Sequence, residues 1–83
     1  MESGERQNVY VLEKRTAEGT GVIMNLLCCI CATRTGAKNM ADYMVRQDGV
    51  KLTWTRDPNA RTRWVAVVSP EVSYIITKQQ VFD

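Results

Sequence analysis

The chain is 83 residues long, 45% apolar and 24% charged, with a formal net charge of +2. That length makes one domain with a thin core, burying about 60% of the surface its unfolded chain exposes, and the apolar share is enough to fold. The mild charge excludes both a strongly basic DNA compactor and an acidic nucleic-acid mimic.

Residues 1–7 are polar and acidic and read as a flexible leader ahead of a single domain at 8–83, with no secretory signal. Asn8 to Arg15 alternates Val9 and Val11 with Tyr10 and Leu12, the period of a strand. Gly19 and Gly21 then permit the positive φ angles of a hairpin connection. Val22 to Thr33 is the most apolar stretch, and its run from Val22 to Ala32, interrupted only by Asn25, is far short of the ~20 residues of a membrane span. Its β-branched Val22, Ile23 and Ile30 and its cysteines favour a strand over a helix. Being apolar on both faces, that strand is expected at the centre of the sheet, covered on each side. One helix can supply only one of those covers, so the other face needs a long side chain from elsewhere or a second subunit, which points to a dimer or a partner-binding sheet face.

Thr35 to Gly49 predicts the one helix. Ala37, Met40, Ala41, Met44 and Val45 form its buried stripe at i, i+3, i+4 spacing. Thr33 or Thr35 caps its start and Gly49 its end. Val50 to Arg56, Arg61 to Val68 and Val72 to Thr77 then read as three further strands. Asp57-Pro58-Asn59-Ala60 has type I turn chemistry between the first two. The fold class expected is α+β, a single helix packed on a mostly antiparallel sheet in the order β-β-α-β-β-β.

Catalytic chemistry has no foothold in these residues. There is no histidine, so no Cys–His or Ser–His–Asp arrangement exists, and no carboxylates pair at acid/base spacing. The glycines form no phosphate-binding signature. Cys28, Cys29 and Cys31 are too close together for a disulfide framework and have no further ligands for zinc. They read as small buried hydrophobes of a reduced, cytoplasmic protein. No enzyme activity, cofactor or metal is expected.

Charge is uneven along the chain. Residues 1–21 carry Glu2, Glu5, Glu13 and Glu18 against Arg6, Lys14 and Arg15, a net of −1. Residues 51–63 carry Lys51, Arg56, Arg61 and Arg63 against Asp57, a net of +3. With Pro58 and Asn59 at the turn centre, Arg56 falls opposite Arg61 and Trp54 opposite Arg63, which could stack on it. That register puts Trp64 among threonines on the other face, half-exposed, where a large aromatic marks a binding surface.

Trp64, Trp54, Arg56, Arg61, Arg63 and Lys51 are therefore the candidate partner-binding residues. Three functions follow as expectations. The first is a protein-binding module. Two strands before the helix and a meander after it resemble, in style of organisation, small proteins of phages and mobile elements. Many of those bind and block a host enzyme or defence complex. The second is nucleic-acid binding through the basic hairpin of residues 51–63, by groove contacts of a β-ribbon or stacking on Trp54. The third is a structural homodimer.

Overall fold

A computed structural model of the chain describes residues 6–19 and 21–82. It has five strands, β1 (Arg6–Ala17), β2 (Ile23–Cys31), β3 (Trp54–Arg56), β4 (Arg63–Ser69) and β5 (Val72–Phe82). One α-helix, α1 (Arg34–Val45), lies between β2 and β3 and runs into a 3-10 turn at Arg46–Asp48. The α+β class and element order are those the sequence predicts. Strand β1 begins at Arg6, inside the expected leader, and residues 1–5 lie outside the described residues.

All neighbours are antiparallel in the order β2-β1-β5-β4-β3. Strand β1 is the spine, bonded to β5 from Arg6↔Phe82 to Thr16↔Val72 and on its other side to β2 from Tyr10↔Cys31 to Ala17↔Ile23. The β1–β2 hairpin closes as Glu18 N–H donates to Val22 C=O at 2.8 Å and Gly21 N–H donates to Glu18 C=O at 2.9 Å. Gly21 sits at φ 87°, where a side chain would be strained.

The expectation that the apolar run occupies the centre of the sheet is overturned: β2 is an edge strand. Strand β1 takes the inner place because it alone pairs along its length with both the hairpin partner and the last strand. Beyond β2 no described strand follows.

Helix α1 starts where Thr33, extended at φ −131°, accepts the Gly36 N–H through its Oγ1 at 2.9 Å. It ends through the 3-10 turn at Gly49, left-handed at φ 69°. Ala37, Ala41 and Val45 are its buried residues. Small side chains here let the helix axis approach the sheet, where Leu12, Trp64, Ala66, Tyr74 and Ile76 complete the core with Leu52. Met40 and Met44, expected in the same stripe, are 42% and 39% exposed on its flank. The stripe is narrower than the pattern suggested because two alanines and a valine already fill the seam.

The hairpin after the helix has a different register from the one turn chemistry implies. Asp57-Pro58-Asn59-Ala60 does turn, with Ala60 N–H donating to Asp57 C=O at 3.2 Å and Asn59 N–H to Asp57 Oδ1 at 2.8 Å. A second turn follows at once, Arg63 N–H donating to Ala60 C=O at 3.1 Å. Arg56 consequently pairs with Trp64 rather than Arg61, and Trp54 with Ala66 rather than Arg63. A slip by an odd number of residues moves every side chain of a strand to the other face. Trp64 and Ala66 thus join Trp54 on the helix side, while Val65 lies opposite Thr55 on the open side.

Two substitutions separate the observed helix seam from its flank. Ala41→Leu, at a fully buried position, is expected to cost about 1–3 kcal/mol by overpacking. Met44→Asp, on the exposed flank, is expected to cost under about 1 kcal/mol. Chemical denaturation with both variants checks the ordering.

Candidate protein-interaction edge

Trp64 is 8% exposed and belongs to the core, not to an open surface as expected. Its indole is enclosed by Tyr10, with ring centroids 6.3 Å apart, and by two guanidinium groups, Arg34 at 4.8 Å and Arg56 at 5.5 Å from the ring centroid. Trp54 is half-buried and packs against the same cluster. Arg63, instead of stacking on Trp54, lies 3.6 Å from Asp57 as an ion pair. Arg61 in the loop and Lys51 ahead of β3 are exposed. The structure thus buries Trp64, half-buries Trp54, lays the exposed Arg56 over Trp64, pairs the exposed Arg63 with Asp57 and leaves Arg61 and Lys51 exposed.

The exposed apolar surface lies elsewhere. Along β2, Ile23, Met24, Leu26, Leu27 and Ile30 are all more than half exposed, with Leu26 at 65% and Ile30 at 61%. The strand has no charged residue in nine positions. About half of its backbone N–H and C=O groups point away from β1, as in any edge strand. The opposite edge is built otherwise: β3 has three residues, ends at Arg56 and is followed by Asp57 and Pro58. Short, charged and proline-flanked edges resist further pairing; long, apolar, uncharged ones invite it.

The two faces of β2 follow from its register. Cys29 is opposite Leu12 and Cys31 opposite Tyr10, on the helix side. A bulge then inserts Cys28, so that Leu27 pairs with Glu13 and Leu26 with Lys14. Leu26 and Met24 therefore continue the helix side, and Ile30, Leu27 and Ile23 share the open side. At the Cys31 end the helix covers the strand, for a Cβ built on Gly36 would lie 3.8 Å from that of Cys31. Met40 and Met44 follow Gly36 at four-residue intervals on the same flank, away from the Arg34 flank that reaches Trp64 on β4. Exposed apolar side chains thus run along β2 and recur at Met40 and Met44 on α1.

The three thiols, expected as buried, are partly buried and pack against the core. Cys29 Sγ and Cys31 Sγ are 3.4 Å apart, and the three cysteines are free. Burial, then the neighbouring Cys31 thiol, pushes Cys29 up to about 11, and burial raises Cys28 as well. Thiols held protonated are poor nucleophiles. Among the described residues no group of three or more His, Cys, Asp or Glu is placed to hold a metal ion. A shallow depression of 230 Å³ between Arg15, Ile23 and Glu71 falls below the ~300–1,000 Å³ of small-molecule sites.

Because the folded state favours the protonated thiol, its stabilisation is whole below pH ~9 and is lost as pH rises through ~11. Melting temperature is expected to fall across that window and Cys29→Ala to flatten the fall. At pH 8 Cys29 is expected to react with a disulfide reagent on the order of tenfold more slowly than free cysteine, its smaller thiolate fraction being partly offset by a more nucleophilic thiolate, by stopped-flow absorbance. Trp64→Ala removes a core aromatic and is expected to cost about 3–5 kcal/mol, a large part of the ~4–12 kcal/mol available to a chain of this size. A urea titration checks it.

No family model, no curated protein and no solved structure matches this chain.

Proposed function

We propose that the chain is a non-enzymatic protein-binding module that engages another polypeptide by strand addition at the β2 edge. The observation that carries this is the exposure of five large apolar side chains on one uncharged strand whose outer backbone groups are open. Strand addition uses such an edge twice: the ladder supplies main-chain hydrogen bonds, and side chains on both faces supply buried area. The exposed parts of β2, Met40 and Met44 together are of the same order as the ~800 Å² per partner of an ordinary specific complex.

The nucleic-acid alternative has less to draw on. Of the four basic residues proposed for it, Arg56 is stacked on Trp64 and Arg63 is paired with Asp57, and Trp64 offers no open ring face. A cytoplasmic setting suits three reduced thiols. Blocking a host protein is a role that a bare edge can perform without chemistry, by occupying a strand-binding surface of its target.

Photo-crosslinking tests the reading. A benzophenone side chain at position 27 is expected to trap a polypeptide, while one at position 61 is not. Arg61→Glu with Arg63→Glu is expected to leave capture unchanged. Crosslinks confined to position 61, removed by nuclease or by this double substitution, would overturn strand addition in favour of nucleic acid.

A further inference from the structure

Strand β2 is open at its edge along its whole length but unequally covered on the helix side. Toward Cys31 the helix lies over it, a Cβ on Gly36 falling 3.8 Å from that of Cys31, and Met40 and Met44 are 42% and 39% exposed on the flank that continues from Gly36. Toward Ile23 there is no such cover, and Met24 and Leu26 stand 59% and 65% exposed. Antiparallel pairing of two identical strands sets the bare end of each beside the helix-covered end of the other. The partly exposed Met40 and Met44 of one copy are then on the helix flank nearer the uncovered Met24 and Leu26 of the second. No unrelated strand is guaranteed that match; a second copy has it by symmetry.

From this geometry we infer that β2 is the interface of a two-fold homodimer, in which the two five-stranded sheets join edge to edge into one continuous sheet with both helices on the same face. The inference rests on the strand-addition reading above and names its partner as a second copy of this chain. Three features fit it. A two-fold axis brings each residue near the axis close to its own copy, so any charge there would meet a like charge, and β2 carries none. The bulge fixes which residues share a face, so the longest register that matches both faces puts Leu26 opposite Cys29 and Met24 opposite Cys31 of the second copy. Ile30 then faces Asn25, and the bulge at Cys28 falls at the axis, where one interrupted position costs each copy least. The exposed apolar side chains each copy can offer are of the same order as the ~800 Å² per partner of an ordinary specific interface, which sets an upper limit on what pairing buries.

Light scattering and sedimentation of the full chain from about 1 to 100 μM test the proposal. The expected result is a mass of twice 9.4 kDa, returning to a single copy in Leu27→Lys with Ile30→Lys. Both positions are solvent-exposed, and circular dichroism checks that the fold is kept. Trapping supplies an arm that does not depend on that variant. In a Cys28→Ser, Cys29→Ser background, Met24→Cys is expected to form an intermolecular disulfide with Cys31 when diamide is added as oxidant, and Lys51→Cys is not. A single-copy mass at every concentration, with position 27 still trapping a different polypeptide, overturns the homodimer and leaves strand addition standing. A dimer that survives both lysines and is not trapped by Met24→Cys places the interface elsewhere and overturns the homodimer at β2.

Discussion

A length mismatch governs this molecule. A 12-residue helix is ~18 Å long, whereas the 12 residues of β1 span ~40 Å. One such helix cannot cover one face of such a sheet from end to end. The core consequently gathers where the helix lies, around Leu12, Trp64, Ala66, Tyr74 and Ile76 beneath Ala37, Ala41 and Val45. The rest of the long β1–β2 hairpin is held by its ladder more than by packing. The molecule is elongated accordingly, 49 Å in its longest dimension and 21 Å in its shortest.

The same mismatch explains why Trp64 is a core residue. With a narrow seam of two alanines and a valine on the helix side, bulk must come from the sheet side, and Trp64 and Tyr74 provide it. Two arginines then flank the indole where the helix begins and where β3 ends, and Tyr10 approaches from β1. These charges serve the fold, because their guanidinium planes cover the ring at the margin of the core, where a longer helix would otherwise have done so. The basic character of the hairpin thus reports, in part, how the core is closed.

Much of this was legible in the chain. The helix shows itself through Ala37, Ala41 and Val45, its start through Thr33 and its stop through Gly49, because caps and periodicity are local physics. The strand character of residues 23–31 follows from β-branching and flanking glycines in the same way. The hairpin register was not legible, because Asp57-Pro58-Asn59 identifies a turn but says nothing of the second turn, at Ala60–Arg63, that delays pairing. That one local addition reversed the facing of Trp64. The sheet position of β2 was hidden for another reason. Two apolar faces record that a strand needs apolar neighbours, and they do not record whether those neighbours belong to the same chain.

That distinction bears on what the two edges of the sheet are for. An isolated protein gains nothing from a nine-residue uncharged edge: a single lysine on Leu27 or Ile30 would protect it and, at an exposed position, cost almost nothing in stability. Strand β3 shows that this chain contains such protection where the sheet ends in solvent, through its brevity, Arg56 and Pro58. A bulge is another such device, since it twists an edge away from pairing. The bulge at Cys28 acts differently. By adding one residue it places Leu26 and Cys29 on one side and Leu27 and Ile30 on the other. The two halves of the strand then present matching faces when a second copy is turned around an axis through the bulge. A protective bulge would break the pattern of the edge; this one restores it across the midpoint.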